Sequence, residues 1–255
     1  MDYSDYIKLF EKVKYRNATH RHRPLTICPS VFGGYDSYHK DGCLQGKPLF
    51  VGRAVNGWCA LDDDCCVDEF LDRLHKCEQC GLGWVVGDGN WNNCRENGCP
   101  VASASDAIDG RMNYTPFWQM VRFICEVENY NYKDKWYKNI VWTNLYKASY
   151  ALGGNPTDFY KEQIDLCNNI LIEEIKMYQP CKIYFITEVN RRKNKQKRTW
   201  FCRENDICFK RVYDYLKKNK LDDRVVVLTR PEFHNLQKIW DNREDLDGNK
   251  LKNKI

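Results

Sequence analysis

Leu49-Phe50-Val51-Gly52-Arg53-Ala54-Val55-Asn56-Gly57-Trp58 begins as an apolar run and stops at a glycine, followed by polar residues and a second glycine, Gly57. An apolar run that needs burial on both sides reads as an inner strand, and the glycine-bearing segment after it reads as a loop at that strand's carboxyl end. In open α/β sheets ligands sit at such carboxyl ends. A glycine there lets a ligand approach the backbone with no Cβ in the way. A plain turn carries the same local pattern, so the elements on either side have to separate the two readings.

Upstream, Tyr6, Ile7, Phe10 and Val13 recur at helical spacing and predict an amphipathic first helix. Arg21 to Lys47, with Pro24, Pro29 and Gly33-Gly34, reads as an extended loop. Downstream, Asp62-Asp63-Asp64 is placed to cap a short helix bearing Val67, Phe70, Leu71 and Leu74. Thr115-Pro116 opens a helix whose face is Phe117, Met120, Val121 and Ile124. Ile140-Val141-Trp142 is a second strand, ending in Thr143-Asn144-Leu145-Tyr146-Lys147. A long helix carrying Ile164, Cys167, Ile170, Leu171 and Ile175 follows, with Pro180 as its stop, and leads to a third strand, Ile183 to Ile186. A helix with Phe209, Val212, Tyr213 and Leu216 leads to a fourth, Val225 to Leu228. Strand, helix, strand in this order predicts parallel pairs with crossover connections. The expectation is an α/β fold: three-layer α/β/α around a central four-stranded, mostly parallel sheet, in a single domain over 1–255, with a frayed tail after Asp241.

With 255 residues, 43% of them hydrophobic, the chain can bury a substantial core, and a net charge of +5 is too mild to define a partner. No apolar run is long enough to cross a bilayer, and Met1 to Asp5 has no basic segment leading into an apolar one. An intracellular, cytoplasmic monomer is expected, with no membrane partner. Fourteen cysteines in a chain of this size then read as reduced thiols or metal ligands rather than a disulfide framework. Seven fall between Cys59 and Cys99, inside a cysteine-rich stretch of about 59–110 that reads as an insertion. There Cys77-x-x-Cys80 followed by Cys94 and Cys99 can supply four thiolates to a structural zinc, or remain free thiols.

The four strand ends, taken in order, resemble the uracil-DNA glycosylase superfamily from Pro48 to Asn235, apart from the cysteine-rich insertion. The family's first motif is a strand followed by Gly-x-Asp/Asn/Ala-Pro, and Val51-Gly52-Arg53-Ala54-Val55 is similar to it. Its middle motif is a strand ending in an Asn that reads a flipped base, and Trp142-Thr143-Asn144-Leu145-Tyr146-Lys147 resembles that. Its last motif is His-Pro-Ser with a wedge loop, and Arg230-Pro231-Glu232-Phe233-His234-Asn235 stands in that place. The departures are specific. Ala54 stands where many members hold a water-activating Asp or Asn, Val55 replaces the Pro, and Arg230 replaces the transition-state His. The iron–sulfur branches carry a cysteine shortly after the Asn motif, where this chain has Ala148. Cys167 matches their final ligand, but the set is incomplete and no iron–sulfur cluster is expected.

The resemblance implies a DNA glycosylase acting on uracil or on another modified base, a phage-type modification included. Excision of a base needs a pocket, an edge-reading group, a stacking platform and a wedge that fills the gap in the duplex. Asn144 offers donor and acceptor to a base edge; Phe117, Tyr114 and Trp58 are the candidate platform, and Gly52 leaves room for the base. Phe233, His234 and Asn235 are the candidate wedge. Arg53, Asn56, Asp62 and Arg230 form the candidate catalytic set, with Arg230 stabilising the departing base and Asn56 or Asp62 positioning water. The run Arg191 to Arg198 carries six positive charges, among them Lys193, Lys195, Lys197 and Arg198, and suits a phosphate track as well as a solvated loop. Each residue also has a plain structural role available: Asn144 as a turn cap, Phe117 and Tyr114 as core, Arg230 as a surface ion pair. Two further readings therefore stand beside the enzyme: a nucleic-acid-binding module that has lost the hydrolytic residues, and a metal-stapled protein-interaction module.

Overall fold

The computed structural model describes residues 3–20, 24–27, 31–32, 45–54, 65–72, 116–130, 139–150, 158–188, 209–231 and 235–251. Its strands are β1 (Leu25–Ile27), β2 (Val31–Phe32), β3 (Leu49–Ala54), β4 (Val141–Tyr146), β5 (Ala148–Tyr150), β6 (Ile183–Glu188) and β7 (Val225–Thr229). Its helices are α1 (Ser4–Thr19), α2 (Pro116–Val127), α3 (Tyr160–Tyr178), α4 (Lys210–Lys218) and α5 (Leu236–Asp241).

The main sheet has the order β2-β4-β3-β6-β7. β4, β3, β6 and β7 are mutually parallel and β2 is an antiparallel edge on β4. Alternation along each strand sorts side chains onto two faces. Phe50, Trp142, Tyr184, Val226 and Leu228 pack with Trp118, Met120, Val121 and Ile124 of α2 and with Trp240 of α5. Leu49, Val51, Val141, Ile183, Phe185, Val225 and Val227 pack with Ile164, Cys167, Leu171 and Ile175 of α3 and with Val212 and Leu216 of α4. Helices thus cover both faces of a four-stranded parallel sheet, which is why its strands read as continuous apolar runs rather than alternating ones. α3 ends at Gln179, which adopts the left-handed conformation (φ 42°) ahead of Pro180.

A third cluster joins Tyr6, Leu9, Phe10 and Val13 of α1 to the β1–β5 pair, to Ile170 of α3, and to Cys65 and Phe70. Phe10 and Phe70 stack with centroids 4.6 Å apart, so the segment 65–72, within the stretch read as an insertion, packs on α1. The rest of that stretch lies outside the described residues.

Three sequence expectations change. β1 and β2 lie within the segment read as an extended loop; short strands without a repeating apolar pattern leave no period to detect. The second strand does not stop at Trp142 but continues to Tyr146, so Asn144 is a strand residue rather than a loop residue. Nor does the chain fray at Asp241: Glu244 bridges to Val227 and to Lys250, and Glu244 and Leu246 are buried. If 242–251 is part of the fold, Leu246→Ala should lower the unfolding free energy by roughly 2–4 kcal/mol in urea titrations. An unchanged midpoint would make the segment a loose tail.

Candidate functional site

On β4 the alternation places Thr143 toward α3 and Asn144 toward α2. Asn144 stands beside Gly52 of β3 in the parallel register. A methyl group at Gly52 would land on Asn144 Oδ1 and would come within 3.4 Å of Phe117 Cε2. The space over Gly52, expected to leave room for a base, is instead filled by the Asn144 amide, which a Cβ at Gly52 would displace. Phe117 is the second residue of α2; its ring meets Trp118 edge-on at 5.0 Å and tilts toward Trp142 at 6.5 Å. Gly52, Asn144 and Phe117, three of the residues singled out from sequence, thus converge on the α2 face at the carboxyl ends of β3 and β4.

Asn144 is 3% exposed, and its Nδ2 has no hydrogen-bond partner among the described residues. A buried donor left unpaired costs about 1–3 kcal/mol. A ligand bearing an acceptor would recover that cost. The topology agrees with the location. Later strands flank β3 on both sides, and the helices following β3 and β6 lie on opposite faces, so the winding reverses between these two strands. Open sheets hold their ligands outside the carboxyl ends at such a reversal.

The remaining candidates are placed as follows. Arg53 is partly buried on β3, and Arg230 is exposed just beyond β7. β7 is three strand spacings from β4, roughly 14 Å at about 4.8 Å each. Arg230 therefore shares the carboxyl edge with Asn144 without lying beside it. Asn235 is the N-cap of α5, its Oδ1 accepting from Lys238 N at 3.2 Å. Asn56, Trp58, Asp62, Tyr114, Phe233, His234, Lys193, Lys195, Lys197, Arg198, Cys77, Cys80, Cys94 and Cys99 lie outside the described residues. No group of three or more metal-ligating side chains occurs among the described residues.

Sequence reading missed the polar cluster behind β4. Lys147, the first residue past the strand, turns its ammonium onto Glu174 of α3, with Nζ donating to Oε1 at 2.8 Å and Oε2 at 2.7 Å. Nζ also donates to Thr143 Oγ1, which in turn donates to Glu174 Oε2 at 2.8 Å. Tyr6 of α1 completes the carboxylate, donating to Oε1 at 3.2 Å. Lys147 and Glu174 are both essentially inaccessible to solvent. About three helical turns back along α3, Gln163 brackets Ala148, accepting from its N–H at 3.0 Å and donating to its carbonyl at 3.1 Å. Cys167 accepts from Lys147 N at 3.4 Å and donates to Gln163 Oε1 at 3.2 Å. Burial pushes the Cys167 thiol up to about 12, so it is neutral at physiological pH. The signal available in the sequence was the spacing of Gln163, Cys167 and Glu174, which share one stripe of α3 with the apolar residues.

Compared with protein-family models, with curated proteins and with solved structures, the chain matches none. Among the described residues no helix is long and apolar enough to cross a membrane.

Gly52→Ala should lower stability by about 1–3 kcal/mol through the imposed overlap, and adding Asn144→Ala should recover most of the loss. A Gly52→Ala protein as stable as wild type in denaturant titration would show that the two residues do not abut.

Proposed function

We propose that this chain is a DNA glycosylase of the uracil-DNA glycosylase-like type. It takes a modified or damaged base into a pocket at the carboxyl end of the sheet and hydrolyses its N-glycosidic bond. Water adds to the anomeric carbon, the bond to the base nitrogen breaks with its electron pair leaving on the base, and an abasic site remains. The observation that carries the reading is Asn144: a buried amide with an unpaired donor, set against a backbone stripped of its Cβ and beside an aromatic ring. That supplies an edge reader and a stacking surface for a flipped base, while the space over Gly52 is taken by the Asn144 amide oxygen itself. The resemblance of the four strand ends to the family's motifs supports the same conclusion.

In this reading Arg230, charged at every physiological pH, stabilises the anionic leaving base. Arg53 adds positive charge at the end of β3, and Asn56 or Asp62 orients the water. Phe233 and His234 fill the duplex, and Lys193, Lys195, Lys197 and Arg198 grip phosphates without sequence preference. Cys77, Cys80, Cys94 and Cys99 hold a structural zinc. The protein works as a monomer in the reducing interior of the cell. Ala54 and Arg230, in place of the family's water-activating and transition-state residues, favour a second reading: a binding module of the same fold that no longer hydrolyses.

The test is incubation with DNAs carrying a panel of modified bases, followed by alkaline cleavage at abasic sites. Wild-type protein should open one class of substrate. Asn144→Ala should lower that rate on the order of 10²–10³-fold, as removal of a critical donor does, with binding to unmodified DNA retained because phosphate contacts come from other residues. Asn144→Asp, having lost both donors and gained a negative charge, should reject any base that presents acceptors. Salt-dependent DNA binding with no abasic sites would establish the binding module instead. Equal excision by wild type and both variants would remove Asn144 from the pocket.

A further inference from the structure

We propose that Lys147 and Glu174 are positioning residues for Asn144, forming a buried electrostatic clasp that fixes the end of β4 and is closed by Tyr6 of α1. This rests on Asn144 being the group that contacts the ligand. The clasp grips β4 on either side of Asn144 in sequence. Thr143, the residue before it, is held from the α3 face by the Lys147 ammonium and the Glu174 carboxylate. Lys147, three residues after it, is held at its side chain by Glu174 and at its backbone N–H by Cys167. Successive strand side chains point to opposite faces. Anchoring Thr143 behind the sheet therefore sets the direction in which Asn144 leaves the front.

A purely structural filler at this place would be apolar. Replacing a buried ion pair by well-packed hydrocarbon of the same volume is often neutral or stabilising, and fixing one arrangement against others is the best-attested use of such a pair. Here every acceptor on the carboxylate is used: Oε1 takes Tyr6 and Lys147, and Oε2 takes Thr143 and Lys147. A saturated network of this kind has a single geometry. On the other side of the sheet the Asn144 amide oxygen fits against Gly52 with no room for a methyl group, so a small rotation of β4 would be felt there directly.

The test uses the full chain with Lys147→Met and Glu174→Gln combined. The new amide can still accept from Tyr6 and donate to Thr143 while no charge is stranded, so the protein is expected to fold. Two readouts are taken: the side-chain amide resonances of Asn144 by NMR, and excision of the base that wild type removes. The expected result is a displaced or broadened Asn144 amide and a fall in kcat/KM of about 10²-fold, the loss that a misplacement near 1 Å produces, with affinity for unmodified duplex unchanged. An unmoved amide and wild-type excision in the folded double variant would overturn the positioning role and leave the glycosylase reading standing. A moved amide in a protein whose wild type excises no base would support the positioning role and overturn the glycosylase reading. Should the double variant not fold, Tyr6→Phe, which deletes one hydroxyl from the clasp, carries the test: a shifted Asn144 amide supports the role, and an unshifted one overturns it.

Discussion

A single carboxylate, that of Glu174, ties together α1, α3 and the end of β4. It is wholly buried, and its partner Lys147 is nearly so. Losing either partner alone would leave an uncompensated charge in the core, a cost of about 3–5 kcal/mol. The surface pairs of this protein, such as Lys176 with Glu173 or Lys210 with Asp214, are half or more exposed on the lysine side and each worth roughly 0–1 kcal/mol. Removing one partner of this pair thus costs more than removing one partner of those surface pairs, and the pair sits directly behind the strand whose front carries the candidate site. The same constraint accounts for the N-terminal helix. α1 lies outside the sheet layers, packed on α3 and on the β1–β5 pair, and places Tyr6 on that carboxylate.

The front of the sheet shows the complementary arrangement. Behind β4 the Glu174 carboxylate, the Lys147 ammonium and the Thr143 hydroxyl are paired with one another; in front, Asn144 Nδ2 is buried and unpaired among the described residues. Natural proteins keep few buried donors in that state, and those that persist mark places where something else completes the bond. Gly52 makes the arrangement possible by giving up a side chain on the neighbouring strand. The winding of the sheet reverses one strand away, between β3 and β6. Rigid backing behind β4 and an unpaired donor in front of it meet at one residue, Asn144.

Much of this was legible in the sequence because it rests on periodicity. The four parallel strands and helices α1 to α4 follow from apolar spacing, and the pairing of Gly52 with Asn144 at one edge follows from their places near the carboxyl ends of consecutive parallel strands. What escaped has physical reasons. β1 and β2 span only three and two residues, too few to show a period. β4 reads on through Thr143 and Asn144 because Thr143 is paired with Glu174 and Asn144 packs over Gly52, neither of which composition can foresee. Glu174 lies among Glu173, Lys176 and other charged residues of α3, and only its position on the stripe shared by Gln163 and Cys167 separates it from a solvated neighbour. The segment 242–251 is rich in charged residues and Asn, yet Glu244 and Leu246 are buried through a bridge to β7 that local sequence does not announce.

In the proposed function the Asn144 side chain pairs with a ligand at the carboxyl edge of the sheet. The most direct measurement is the NMR signal of its side-chain amide during titration with a short DNA carrying the excised base in a non-hydrolysable nucleotide. The Nδ2 protons are expected to shift downfield, saturably with binding, and not to shift with the unmodified duplex. An Asn144 amide that stays in place while the modified DNA binds would contradict it.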